Sequence, residues 1–333
     1  MFIDGTNSPD TALNNCMNGN ATSEIFMLLI LCGAVAGPPS MRAGAAGSSM
    51  PGSVNDMLQQ KALFLLRTSL QREDRWIKVH AAEALLPFGY STEIRQVFEL
   101  ELSAHGEEPK YRIGIWRVLA QAAPDVAERQ RWVGNIRAAF LDVAGPDRLH
   151  AAESLAKLRY QVQDREAAAF QHVAETGEDR LAANTRWILA NSGGLDRQLS
   201  LVKLLESKEA AARASTAYAL GNLPQLPAPS REKLLSALVQ EPTNAPARIY
   251  MMSAVFVHAP SDRQEQIKAA LLSQVKTGDQ AVKYEVCAAL AKVGRAEDLP
   301  LLSSLLDDTN PDVRVGAAGA ILRIEQRHAH RDL

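Results

Sequence analysis

The chain has 333 residues, of which 47% are apolar, 22% charged and 5% aromatic, which is the balance of an ordinary soluble globular protein. Its 36 basic and 38 acidic side chains leave a net charge of −2, so no global basic excess points to nucleic acid or to an anionic membrane. The three cysteines, Cys16, Cys32 and Cys287, form no CxxC and no Cys/His metal spacing.

Residues 1–24 are polar and rich in Asn and Asp, with no helical period. An apolar run follows from Ile25 to Gly37. It is shorter than the roughly 20 residues needed to cross a bilayer. It fits the core of a secretory signal, with Ala34-Val35-Ala36 as an A-x-A cleavage site. The flank departs from that pattern, because no Lys or Arg precedes Arg42. Three readings stay open: an exported protein whose true start lies downstream of Met1, an uncleaved anchor that would bring the chain to a membrane, or a cytoplasmic protein with an unusual leader. Removal of the leader would leave Cys287 alone, with no intrachain disulfide. Cys287 sits among Ala and Val and reads as a small buried hydrophobe. Residues 38–54, rich in Pro, Gly, Ser and Ala, read as a flexible linker.

From residue 55 to 327 one phrase recurs eight times. The first copy is Lys78-Val79-His80-Ala81-Ala82-Glu83-Ala84-Leu85, and later copies start at Arg112, Arg148, Ala182, Arg213, Arg248, Lys283 and Arg314. The starts lie 31 to 36 residues apart. Apolar residues within each copy recur at three- and four-residue spacing, as one buried helix face requires. A second amphipathic segment precedes most copies, as in 57–70, 93–102, 197–205, 231–238, 266–275 and 298–306. Turn residues join the two, such as Gly145-Pro146-Asp147 and Thr309-Asn310-Pro311-Asp312. Gly193-Gly194 reads as a turn between repeats. No alternating period-2 stretch predicts a sheet.

The phrase x-V-R-x-x-A-A-x-A-L resembles the HEAT repeat, and in particular its short variety from phycobilisome lyases. Pro311-Asp312-Val313-Arg314-Val315-Gly316-Ala317-Ala318-Gly319-Ala320-Ile321 carries it best. The resemblance implies an all-α fold, a right-handed α-α superhelix of about eight helix pairs, with the second helices lining a concave face. Stacking buries a continuous core that each repeat shares with its neighbours. Residues 328–333, with His328-Ala329-His330, read as a C-terminal tail.

Three columns of the repeat carry the candidate chemistry. The first position is basic in seven copies: Lys78, Arg112, Arg148, Arg213, Arg248, Lys283 and Arg314. The resemblance assigns these a structural ladder, pairing with the Asp of the turn or with a neighbouring repeat, and Asp147 and Asp312 are placed for it. The third and sixth positions share one helix face. They hold His80/Glu83, Arg117, His150/Glu153, Asn184/Trp187, Tyr218 and Tyr250. This reads as a polar and aromatic groove on the concave face. Trp116 reads as core, and Trp76 as core or groove.

The H-A-A-E pairs do not match the adjacent His-Glu dipeptides of the deoxyhypusine hydroxylases, which share this repeat type. His80 and His150 lie two repeats apart, roughly 20 Å at the usual helix spacing, so they cannot share an ion. No metal or cofactor is expected. No nucleophile elbow and no phosphate loop is present. The expected function is a non-enzymatic interaction or scaffold module that grips a protein or peptide in the concave groove. The alternatives are a bilin-lyase-like enzyme or subunit, with His80, His150, Arg112, Arg117, Trp187 and Tyr218 on a tetrapyrrole, or an accessory subunit of a secreted hydrolase.

Overall fold

The structure, a computed structural model, describes residues 54–329 apart from Thr277. The leader, the apolar run and most of the linker lie outside these residues. Sixteen α-helices and no strands occur among the described residues. Eight helices form an outer layer: α1 (Val54–Arg72), α3 (Ser91–His105), α5 (Val126–Leu141), α7 (Asp164–Thr176), α9 (Leu195–Val202), α11 (Ala228–Gln240), α13 (Ser261–Ser273) and α15 (Leu299–Leu305). Eight more alternate with them on the inside: α2 (Arg75–Leu85), α4 (Tyr111–Ala122), α6 (Arg148–Lys157), α8 (Arg180–Asn191), α10 (Ala210–Asn222), α12 (Ala247–His258), α14 (Gln280–Val293) and α16 (Pro311–Ala329). Each inner helix contains one copy of the repeated phrase. The helical array starts at Val54, and α16 continues through Ala329, so His328 and Ala329 belong to the last helix rather than to a tail.

Local chemistry sets the ends of these helices. Asp125, Asp179 and Asp279 accept hydrogen bonds from the first backbone amides of α5, α8 and α14. Asn310 does the same for Asp312 and Val313 at the start of α16. Before α9 the chain turns through Gly193 and Gly194, with φ of +84° and +91°, a region where a side chain is strained. The small residues of the phrase let inner helices approach one another. A Cβ on Gly316 would meet the Tyr284 ring of α14 at 3.0 Å.

One apolar core runs through the molecule, from Ala62, Leu66 and Leu70 in α1 to Ile321, Leu322 and Ile324 in α16. The array does not stay open. Its last inner helix, α16, packs against both helices of the first pair. Lys61 reaches Asp307 at 3.0 Å, Arg314 reaches Glu73 at 3.4 Å, and His80 Nδ1 lies 2.9 Å from Asp312 Oδ1. The Arg323 guanidinium lies 5.9 Å from the centroid of the Phe88 ring. The eight pairs therefore form a closed ring of inner helices inside a ring of outer ones. The expected all-α solenoid of eight helix pairs is present, and its two ends meet.

Candidate functional site: the ring interior and the outer groove

The third and sixth positions of the inner helices point into the centre of the ring, and closure buries them. His80 is 1% exposed, Glu83 2%, Arg117 0%, Glu153 5%, Asn184 3%, Trp187 2%, Tyr218 7% and Tyr250 1%. Only His150 is partly exposed, and its ring stacks on Trp76 at 5.8 Å. The concave groove expected from His80, Glu83, Arg117, His150, Glu153, Asn184, Trp187, Tyr218 and Tyr250 is thus not an open surface. The physical reason is curvature. Polar side chains on an open solenoid face water, whereas here they face one another across the ring.

Arg117 is the clearest case. Its Nε donates to Glu83 Oε1 at 2.7 Å and its Nη2 to Glu83 Oε2 at 3.2 Å, while Nη1 donates to Ser154 Oγ at 3.0 Å. Gln121 donates a further bond to Glu83 at 2.8 Å. One buried guanidinium therefore ties the first three pairs together in the forked geometry that suits Arg and carboxylate. Burial alone would raise the Glu83 pKa, but Arg117 and Lys157 outweigh it and hold the carboxyl below its usual range. In the third pair, Lys157 Nζ lies 2.8 Å from Glu153. His80 and Glu83 do not act as a pair, because His80 turns to Asp312 across the seam and Glu83 to Arg117.

The opposite arc of the interior is aromatic. Trp187 meets Tyr218 edge-on at 5.6 Å between ring centroids, and Tyr218 meets Tyr250 edge-on at 6.5 Å. The ammonium groups of Lys157 and Lys292, from the third and seventh pairs, lie 5.6 and 5.9 Å from the Tyr218 ring centroid. Lys292 also donates to the Gly221 carbonyl at 3.0 Å. Such contacts between nonadjacent pairs show how narrow the interior is. Glu285, 2% exposed, completes this arc. Burial raises its pKa to about 7, against the opposing pull of Lys292 and a hydrogen bond from Ser253.

Gln121, Lys157 and Lys292 were missed by the sequence reading. Each occupies the tenth position of its repeat. That position extends the stripe of the third and sixth by one further turn, so the signal was present in the register.

The basic column is consumed by internal bonds. Lys78 pairs with Glu101, Arg112 with Asp147, Arg213 with Glu241, and Lys283 with Asp308. Arg148 donates to the Phe140 carbonyl, and Arg248 to the carbonyls of Leu238 and Glu241. Arg314 donates to the carbonyls of Asp308 and Thr309 as well as meeting Glu73. Asp147 thus serves the Arg of the preceding repeat rather than Arg148, and Asp312 serves His80 rather than Arg314. Arg186 binds the carbonyls of Ala174, Gly177 and Ser200.

Trp116 is half-buried, with Arg112 lying 5.7 Å from its ring centroid. Cys287 is fully buried, and burial pushes its thiol pKa far up. A thiol so held is not a nucleophile near neutral pH. Among the described residues, no group of three or more His, Cys, Asp or Glu is placed to hold a metal ion. No described helix is long and apolar enough to cross a membrane.

Where the inner face is closed, the outer face is not. A shallow groove of about 530 Å³ lies between α1 and the start of α3, lined by Leu63, Phe64, Tyr90, Arg67, Arg72 and Glu93 among others. Phe64 is 74% exposed. Met57, also well exposed, lies seven residues before Phe64 and so on the same stripe of α1. Arg67 pairs with Glu93 and lies 5.5 Å from the Tyr90 ring centroid, whereas Arg72 joins no ion pair among the described residues.

A family model described as HEAT repeats matches residues 231–323. The chain carries HEAT repeats. Its helix pairs outside that range follow the same alternation of outer and inner helices. No curated protein matches the chain. Among solved structures, a crystal structure of an engineered protein aligns over 81% of this chain and 84% of its own length, at 17% identity and a TM-score of 0.30.

Proposed function

We propose that this HEAT-repeat chain is a non-enzymatic scaffold that binds a protein partner on its outside, through the groove between α1 and α3, rather than in a concave cleft. HEAT repeats fit a protein-interaction module, which is the coarse part of this reading. The single observation that carries the finer part is the contrast of exposure. The inner columns are buried, while Phe64 and Met57 are left in water on one stripe of α1. Large exposed apolar side chains grouped on one face mark interaction sites.

The chemistry of the groove defines the partner segment: an apolar anchor against Phe64, Leu63 and Tyr90, next to a carboxylate for Arg72. The alternative bilin-lyase reading draws no support from the geometry. Arg117, His80, Trp187 and Tyr218 are buried, and Arg112 is committed to Asp147. Export of the chain rests on the apolar run Ile25–Gly37 alone, and fractionation of cells expressing the full chain tests it separately.

A photo-crosslinking residue at Phe64 is compared with one at Val239, an equally exposed apolar position on α11 (80%). The proposal expects one discrete adduct from position 64 and none from position 239. The adduct peptide should carry an apolar residue beside Asp or Glu. The same adducts from both positions, or none from position 64, would refute it.

A further inference from the structure

The groove between α1 and α3 is apolar at its middle, where Leu63, Phe64 and Tyr90 line it, and basic toward the C-terminal end of α1, where Arg72 lines it. Arg67 is matched by Glu93, whereas Arg72 is exposed and joins no ion pair among the described residues. Met57, 68% exposed, carries the apolar stripe toward the N-terminal end of α1. That helix begins at Val54, so the groove opens directly beside the point where the preceding residues enter the ring.

The preceding sequence complements this surface. The run Ile25–Gly37 lies outside the described residues. It is apolar at every position from Ile25 to Leu31 and carries no charge as far as Gly37. Glu24 stands at its N-terminal edge. No Lys or Arg precedes Arg42, whereas Asp4, Asp10 and Glu24 are acidic, the sign opposite to the unmatched Arg72. Chain direction sets the orientation. Residues 38–53 lead from Gly37 to the start of α1 and reach on the order of 50 Å when extended, so distance does not limit docking. The shortest return places Gly37 beside Met57 and Glu24 toward Arg72, antiparallel to α1. Met57 and Arg72 are about 22 Å apart along the helix, and the stretch from Glu24 to Gly37 covers about 20 Å even if helical.

We propose that, in a chain that retains it, the run Ile25–Gly37 occupies this groove and masks the partner site in cis. The inference rests on the groove being the partner site, and it adds the regulation of that site. The apolar side chains cover Leu63, Phe64 and Tyr90, and Glu24 pairs with Arg72. A segment tethered by a short linker competes at an effective concentration in the mM range, so a free partner is excluded while the run is present. Removal of the run as an export signal then uncovers the site.

The test uses the full chain, its retention of residues 1–37 confirmed by intact mass, with a photo-crosslinking residue at Phe64 or, as control, at Val239. In dilute purified protein, position 64 should give a product of monomer mass joined to the run, and position 239 should give none. Leu28→Asp with Leu29→Asp should lower that yield by roughly tenfold or more, and neither residue belongs to the helical array. Arg72→Glu should lower it several-fold, and Glu24→Arg should restore it in that background. In cell extract, a second-protein adduct at position 64 should be scarce in the parent and rise in the double Asp variant. No link to the run, an equal link from position 239, or a dimer-mass product joining two chains would overturn the proposal. So would a second-protein adduct of equal yield in parent and variant, which leaves the partner reading standing. A link to the run with no second-protein adduct from either chain would uphold the occupant and refute the partner reading alone.

Discussion

Two arcs of the same ring interior, built from the same columns of the same repeat, solve the burial of polar groups differently. Across the first three pairs, Arg117 satisfies Glu83 twice and Ser154 once, and Gln121 completes the set. Across the fourth to seventh pairs, aromatic edges replace charge pairs, and Glu285 is left with one unsatisfied oxygen. The first arc is a clamp in which Arg117 and Glu83 match each other. The second holds a carboxyl whose protonation changes near neutral pH. The comparison teaches that burial alone does not set the role of a repeat column; what sets it is the partner that ring closure brings opposite.

The largest expected effect breaks the first arc. Arg117→Ala removes the paired charge from buried Glu83 and leaves it only Gln121 and the more distant pull of Lys157, a change that costs about 3–5 kcal/mol. Chemical denaturation of the variant should show that loss. A double variant, Arg117→Met with Glu83→Gln, should recover much of it, because neither charge then remains. Equal stability of Arg117→Ala and the parent would mean that the clamp is absent in solution.

A smaller effect reads the second arc. The folded-state pKa of Glu285 lies at about 7, above its ordinary value of 4.5. The native state then binds more protons than the unfolded chain between these values. Stability is fully present below about pH 4.5 as far as this group is concerned, and it falls as pH rises through 7, by roughly 3 kcal/mol in total at 1.4 kcal/mol per unit. Glu285→Gln should remove that decline. Glu83 has the opposite sign, because its lowered pKa makes its contribution disappear as pH falls below the usual carboxylate range. The parent should therefore be most stable on the acid side of neutrality. A flat profile between pH 5 and 8 would contradict the burial of Glu285.

The smallest effects separate the layers of the seam. His80→Ala removes a buried bond to Asp312 and a ring packed at 5.7 Å from Tyr284, and should cost about 2 kcal/mol. Lys61→Ala removes a pair whose side chains are 48% and 74% exposed, and should change stability by less than about 0.5 kcal/mol. A larger loss for Lys61→Ala than for His80→Ala would reverse this ordering of the seam.

Most of the fold was legible because a repeat states its own rule eight times. The phrase from Lys78 to Leu85 marks an inner helix wherever it recurs. The site was less legible. His80, Glu83 and Arg117 are polar, and a polar stripe on a helix normally means solvent. The curvature that turns this stripe inward accumulates from small rotations between successive pairs, and no local pattern carries it. Asp312 shows the limit clearly. Its turn position beside Arg314 predicted a local pair, and its actual partner, His80, lies 232 residues away.

Ring closure is the central claim, and the distance between spin labels at Lys61 and Asp307, on a Cys-free background of the full chain, tests it most directly. A closed ring predicts one narrow distribution at the short end of the measurable range. An open array of eight pairs stacked about 10 Å apart would instead place the labels on the order of 70 Å from each other, and that result would contradict the account.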